Sequence, residues 1–488
     1  MSPLSHFAAG NTTFDSELVR FSPDLEPLVR PIEDTPLDRC VPMFVKQREA
    51  RLPYECFLSA LFLGALRWGV IHQICQVQSC YQISSAALTE ERLLPLFWAL
   101  HRLKKEYEAP GARRGPKALQ GPLPKPNSAA SILHDALLHS DADLAERAAV
   151  VLAGAMGARH AISRLWEFAG RSIHFLGHDA IVLANGSRTL DTIGWQHAEV
   201  ALRYATRELA LNHADRAYAP NLARVDRTLP RLPSHWTALE GSRLATLEIY
   251  ALLRQGDAEA ACDLICSQLL TGKVSAGAVW DAIHLSTADD IFRYTRGGTE
   301  LGGGKIHAVT ATSALRFSFT SVDSPPTRLL TLLQAASWVA DLFVLDSKKA
   351  GLLRDMNLLE LKADDHRPQN TMVDVFTLLP YKAKEYHQKR LDERTASDQA
   401  CKMTFTLLSD PANGKLFLKT AHSLLCVKAS LDPHDVKYPA ALFEDATLVS
   451  REWRPYLLAS SVHALHGTKS DDAPALVQAR EALKSSPK

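Results

Sequence analysis

The sequence predicts an all-α fold, a single large multi-helix domain built around a buried polar centre that contains histidines. Apolar residues recur at three- and four-residue spacing in most long segments, which is the pattern of amphipathic helices. Sustained alternation of apolar and polar residues, the pattern of strands, is rare. Of the 488 residues, 46% are hydrophobic, which is enough for a large core.

The predicted helices follow one another through the first half of the chain. One β-rich piece, KMTFTLLS (402–409), is predicted to form at most a hairpin. No internal repeat is found, so a solenoid is not expected. The helical segments are YECFLSALFLGALRWGVIHQIC (54–75), ERLLPLFWALHRLKKEY (91–107), LAERAAVVLAGAMGARHAISRLWEFAG (144–170), HAEVALRYATRELALNHA (197–214), SRLATLEIYALLRQ (242–255) and DAEAACDLICSQLL (257–270).

The domain boundaries follow from composition. Residues 1–12 are predicted to be a disordered tail, 13–467 the helical catalytic domain, and 468–488 a C-terminal helix or tail. The segment EAPGARRGPKALQGPLPKPNS (108–128) is rich in proline, glycine and basic residues, so we expect a loop insertion there. RGGTELGGGKIH (296–307) is predicted to be a glycine loop that leads into a helix; it lacks the GxxxxGK[ST] pattern of a phosphate-binding loop.

Charge and hydropathy argue against two classes of partner. The net charge is +1, without the basic excess typical of nucleic-acid binding. The N-terminus lacks a secretory signal. The most apolar long segment, LLTLLQAASWVADLFVL (329–345), is interrupted by Gln334, Ser337 and Asp341 and is short for a membrane span. We therefore expect a cytoplasmic protein that does not bind nucleic acid or membranes.

The cysteines are predicted to be reduced core residues. There are eight in the chain, and none of them forms the paired CxxC spacing of a structural zinc site.

Two histidines stand four residues apart in RSIHFLGHDAIVLANGSRTLDTIGWQHAE (171–199), in a run that otherwise reads as a buried helix. Side chains at i and i+4 of a helix lie one above the other, so His174 and His178 are predicted to reach one metal ion. The structural alternative is a pair of ordinary core histidines bonded to the backbone.

Further histidines and charged residues occur in apolar helical segments. Burying so many polar groups separately would be costly, so we predict that they share one polar centre. They are His197 and Glu199 in GWQHAE, Asp281 and His284 in VWDAIHLS, His307 in GKIHAVTATSALRFSF, and His434, Asp435, Lys437 and Glu444 in DPHDVKYPAALFED.

Lys437 has a separate chemical interpretation. Burial neutralises a lysine by desolvation, and a neutral amine can add carbon dioxide to become a carbamate, an oxygen ligand for a metal. The structural alternative is a lysine that extends toward solvent and pairs with Asp435 or Glu444.

Four motifs together resemble the questin oxidase-like family, helical proteins that oxidise aromatic polyketides in secondary metabolism. HFLGHDAIVLA, IHAVT and HDVK occur in the family's order, and LSALFLGALRWG (58–69) resembles a helix near the start of such proteins. The resemblance extends over residues 54–450 as scattered motifs.

This resemblance implies a mononuclear non-haem iron, Fe(2+), that uses dioxygen as a monooxygenase or dioxygenase on a small, aromatic or polyketide-like substrate. The implied metal ligands are His174, His178, His307 and a carbamylated Lys437. The family has histidines just before its LGA segment, whereas this chain has RLPYECFLSA there, and the nearest candidate is His72.

His197, Glu199 and His434 are then candidates for catalytic or supporting roles. A carboxylate near a ligand histidine orients it and raises its basicity. His434 precedes Lys437 by three positions and is predicted to act as a ligand or a proton carrier.

Two alternatives to an iron oxidoreductase stay open. A zinc hydrolase or lyase would use the same histidines, with Glu199 as the base. A non-catalytic helical binding protein would hold no metal, and its histidines would be dispersed in space. The expected partners of the enzyme are a small-molecule substrate and dioxygen, and a homodimer is compatible with the sequence.

Overall fold

The computed structural model contains 22 α-helices and short 3-10 turns in its described residues. No strand is present there, and an isolated antiparallel bridge joins Tyr294 and Leu353. The predicted all-α fold is therefore confirmed. The described residues are 21, 23, 25–49, 54–87, 92–109, 115–171, 175–212, 219–294, 302–348, 353–363, 371–379, 390–429 and 432–484.

The chain groups into two compact units. The first comprises Met1–Phe168, Val182–Ala214 and Asp472–Lys488, and the second comprises Ala169–Ile181 and Asp215–Asp471. Neither unit is one continuous stretch of sequence. The predicted single domain over 13–467 stays a prediction, and the predicted tail over 1–12 lies outside the described residues.

The first unit is formed by helices from the N-terminal part of the chain together with the last helix. The residues of α9 (His178–Ile193) from Val182 onward also belong to this unit. Its other helices are α1 (Glu26–Asp34), α2 (Leu37–Glu49), α3 (Tyr54–Trp68), α4 (Ile71–Ala86), α5 (Leu94–Glu108), α6 (Ala129–Leu138), α7 (Ala142–Met156), α8 (Ala158–Ala169), α10 (Ala198–Leu211) and α22 (Pro474–Lys484).

Two segments predicted as single helices are each two helices. The predicted helix 54–75 is divided at Gly69, with φ +65°, and the predicted helix 144–170 at Gly157, with φ +91°. Glycine reaches this left-handed backbone region without a Cβ clash, which is why it ends helices. Apolar periodicity continues across such a residue, so the pattern alone does not reveal the break.

A buried ion pair joins α7 and α10 in the first unit. Arg203 lies 3.1 Å from Glu146, and both side chains are almost fully buried. Glu146 also contacts Arg207 at 2.9 Å, and Arg203 donates a hydrogen bond to the Lys117 carbonyl. Lys117 belongs to the predicted loop insertion, whose described residues 115–125 form no helix.

The second unit contains the remaining helices. The first residues of α9, His178 to Ile181, belong to it. Its other helices are α11 (Ala219–Thr228), α12 (Arg243–Gln255), α13 (Ala258–Leu270), α14 (Ala276–Arg293), α15 (Gly302–Ser321), α16 (Pro325–Ser347), α17 (Met372–Leu378), α18 (Arg390–Leu407), α19 (Ala412–Lys428), α20 (His434–Leu448) and α21 (Arg454–Ser461).

Helix α14 is central to the second unit, because every one of its residues is buried. It packs against α12, α15, α16 and α21, and α15 packs in turn against α20. A helix that is covered on all sides belongs to a protein core. Because α14 nevertheless carries charged residues, polar groups are enclosed in this core.

The most apolar segment of the sequence, 329–345, lies in α16. Its Gln334 is fully buried and accepts a hydrogen bond from the Asn221 side chain at 2.6 Å, and Ser337 accepts a second one at 2.8 Å. These polar side chains therefore serve core packing against α11. None of the helices in the described ranges combines the length and apolar character needed to cross a membrane.

The hairpin predicted at 402–409 is wrong, because α18 extends through residue 407. The threonines that indicated a strand are accommodated by back-bonding: Thr404 Oγ1 donates to the Ala400 carbonyl at 2.7 Å, and Thr406 Oγ1 donates to the Lys402 carbonyl at 2.9 Å.

All eight cysteines lie in described residues and all are free thiols. Seven are buried and Cys56 is half-buried, so the prediction of reduced core cysteines is confirmed.

We expect Glu146→Ala to destabilise the protein by about 3–5 kcal/mol, because Arg203 would stay buried without its carboxylate. Glu199→Ala is the matched control, since Glu199 also contacts Arg203, at 4.0 Å, but is 62% exposed. The control should change the free energy of unfolding by less than about 1 kcal/mol. Urea denaturation measures both variants, and equal effects would contradict the prediction.

Candidate functional site

Three histidines from distant parts of the sequence come together in the second unit. His178 Nε2 lies 3.2 Å from His307 Nε2, and the two ring centroids are 4.6 Å apart. The ring of His434 lies edge-on to that of His307, with centroids 4.9 Å apart. His178 and His307 are 3% and 1% exposed, and His434 is half-buried. We call these three residues the histidine cluster.

A tight turn places His178 in the cluster. Leu176 and Gly177 both have left-handed backbone conformations, with φ of +58° and +72°, and α9 begins at the next residue. A Cβ added to Gly177 would lie 2.6 Å from the Cβ of Ala311. Ala311 is one turn beyond His307 on α15, so this close approach sets His178 beside His307.

The prediction that His174 and His178 lie one above the other on a continuous helix is wrong. The chain from Phe175 to Gly177 is a 3-10 turn with non-helical angles at Leu176, and α9 begins at His178. The sequence pattern misled because a leucine rarely adopts positive φ. His174 itself lies outside the described residues.

A carboxylate fixes the third histidine. Asp432 Oδ1 accepts a hydrogen bond from the His434 backbone N–H at 2.9 Å and contacts the ring Nδ1 at 2.7 Å. With the carboxylate as acceptor, Nδ1 carries the proton, and Nε2 is the nitrogen available for coordination chemistry. His434 is also the first residue of α20, as His178 is of α9.

Further buried polar groups follow His434 on α20. Lys437, one turn after His434, is 2% exposed. Asp435 Oδ2 lies 2.8 Å from His466 Nε2, and both side chains are buried. Sequence reasoning missed Asp432 and His466, although the close spacing of acid and histidine in DPHD was a signal for the first.

The remaining predicted site residues lie in the first unit. His72 is the second residue of α4 and is half-buried. His197 ends a 3-10 turn before α10, where its Nε2 contacts the Gln196 side chain at 3.2 Å. Glu199 lies in the first turn of α10 and is exposed. The roles predicted for these residues stay predictions.

The spacing within the histidine cluster fits two ligands of one metal ion. Two imidazole nitrogens at about 2.0–2.1 Å from a shared ion are about 3.0–3.4 Å apart, and His178 and His307 are separated by 3.2 Å. A direct N–H···N hydrogen bond has a similar length. Within the described ranges, no group of three or more histidine, cysteine or acidic side chains could hold a metal ion. The spacing of His178 and His307 therefore accounts for two coordination positions of one metal ion.

A second buried polar group joins α14, α15 and α20. His284 Nδ1 lies 3.3 Å from Asp445 Oδ2, and the His284 ring stacks on Trp280. Arg316, also buried, donates to the Leu448 carbonyl at 2.6 Å. Burial, together with the Arg316 guanidinium, holds the pKa of His284 well below its ordinary value. This imidazole is therefore neutral at physiological pH.

No family model, no curated protein and no solved structure matches this chain.

We expect Gly177→Ala to destabilise the protein by at least about 2 kcal/mol, because it combines positive φ with a steric clash. Gly154→Ala is the matched control: Gly154 lies in α7, and a Cβ there would contact nothing within 4 Å. The control should stabilise by about 0.5–1 kcal/mol. Thermal and urea denaturation measure both variants, and a neutral Gly177→Ala would contradict the prediction.

We expect His284 to make the protein less stable as the pH falls below about 6.5, the ordinary pKa of histidine. Its folded pKa is lowered, so only the unfolded chain takes up this proton, and stability decreases by up to about 1.4 kcal/mol per pH unit. Urea denaturation between pH 6.5 and 5 should show a shallower loss for His284→Gln than for the wild type. Equal slopes would contradict this prediction.

Proposed function

We propose that the second unit binds one metal ion at the histidine cluster and acts as a dioxygen-dependent oxidoreductase. The observation that carries the proposal is the 3.2 Å separation of His178 Nε2 and His307 Nε2 in a buried setting. The resemblance of the sequence motifs to the questin oxidase-like family supports iron as the metal. The same resemblance supports a small, aromatic or polyketide-like substrate.

His178 and His307 would hold the ion, and His434, whose ring contacts that of His307, would be a further donor. Asp432 supports the role of His434, because a carboxylate on Nδ1 is the usual partner of a metal-bound histidine. Lys437 would add an oxygen donor once its neutral amine combines with carbon dioxide and releases a proton. Bound iron would supply the activation of dioxygen.

The surrounding chain would give this site its selectivity. The buried positions of His178, His307 and Lys437 exclude bulk water, which protects reactive species from side reactions. The first residues of α9 and α20 meet at the cluster, and helix N-termini favour negative charge. An anionic ligand, such as the ionised oxygen of a phenol, would be stabilised there.

The free thiols of all eight cysteines support a reducing compartment, and we infer the cytoplasm.

Elemental analysis tests the proposal. Full-length protein from cells supplied with iron and zinc should contain about one iron per chain, and the metal content of His178→Ala and His307→Ala should fall at least tenfold. A zinc content of one per chain would instead favour the hydrolase or lyase alternative.

His235→Ala is the matched control. His235 is an exposed histidine of the same unit that contacts the Gly272 carbonyl, so this variant should keep its metal. Negligible metal in the wild type, or equal metal in all four proteins, would contradict the proposed function.

A further inference from the structure

Tyr438 is a buried phenol in the second unit whose hydroxyl lacks a hydrogen-bond partner among the described residues. It is 1% exposed, and within the described part of the chain its Oη has no hydrogen-bond partner. Leaving a buried hydroxyl unsatisfied is costly, and such groups in native proteins usually await a ligand or a water.

Tyr438 and His434 lie on the same side of α20. Tyr438 follows His434 by four residues on α20, so the two side chains are about 40° apart around the helix axis. Side chains on a helix lean toward its N-terminus. His434 is at the N-terminus of α20, so this general tendency favours a Tyr438 ring that leans from the next turn toward the level of His434.

We infer that Tyr438 donates a hydrogen bond to an oxygen of the ligand that binds at the histidine cluster, a carbonyl or phenolate oxygen. This inference rests on the proposed function and adds a specificity-determining residue to it. A phenol O–H at this position selects ligands that carry an acceptor atom there. An analogue without the acceptor would leave the hydroxyl unsatisfied and bind more weakly.

The first test compares two tyrosine-to-phenylalanine variants of the full-length protein without added ligand. Tyr250 is also buried, but its hydroxyl donates to Asn357 Oδ1 at 3.1 Å. Tyr250→Phe should lower Tm by about 1–4 °C, because it removes this buried hydrogen bond and leaves Asn357 Oδ1 with the Leu359 N–H as its donor. Tyr438→Phe should leave Tm unchanged or raise it. A fall in Tm equal to that of Tyr250→Phe would overturn the inference, since the hydroxyl would then have a structural partner.

The second test uses 4-nitrocatechol, a coloured probe with phenolate oxygens, on the iron-loaded protein. Tyr438→Phe should keep the wild-type iron content and bind the probe about three- to tenfold more weakly, the effect of one lost hydrogen bond. An unchanged Kd with unchanged iron would overturn the inference alone. A wild-type protein that takes up no metal would instead overturn the proposed function, and the Tm comparison would then decide whether the hydroxyl is unpartnered.

Discussion

The stability of the second unit depends on pairing or neutralising the charged side chains that are buried in its core. Helix α14 is buried along its whole length, yet it carries Asp281, His284, Asp289, Asp290 and Arg293. An isolated buried charge is unstable, so each must be neutralised or paired. Asp290 pairs with Lys305 at 2.9 Å and Asp289 pairs with Arg254 at 3.0 Å, whereas burial keeps His284 neutral where it contacts Asp445 at 3.3 Å. These pairs fix α14 against its neighbours in one register, and that register also determines where the histidines of α15 and α20 meet.

Much of the fold was predictable because the periodicity of apolar residues can be read from the sequence without knowledge of the tertiary structure. The all-α class and most helices of the first half follow from it. The helix breaks at Gly69 and Gly157 and the turn at Leu176 could not be predicted in this way, because backbone conformations with positive φ leave the apolar pattern intact. The β-branched residues of 402–409 indicated a strand, and the hydrogen bonds that keep Thr404 and Thr406 in a helix depend on structure that propensity does not include.

For the site, the sequence predicted one shared polar centre but did not identify which of the polar residues compose it. His178, His307 and His434 were each marked by an apolar setting, and the structure brings them together. Asp435 and His466 are far apart in the chain, so no local sequence pattern predicts their contact. His178 belongs to the cluster, but not for the reason that its helical spacing from His174 indicated. Its position depends on the close approach of Gly177 to Ala311.

The two contacts of Asp432 have a consequence for local stability. A single carboxylate oxygen accepts from the backbone N–H that starts α20 and from the imidazole of the same residue. Fraying of the first turn of α20 and loss of the His434 ring orientation therefore occur together. Any ligand that requires the aligned imidazole binds the folded turn selectively and so stabilises it by mass action. Affinity at the cluster and order at this end of α20 are then thermodynamically linked, and each reports on the other.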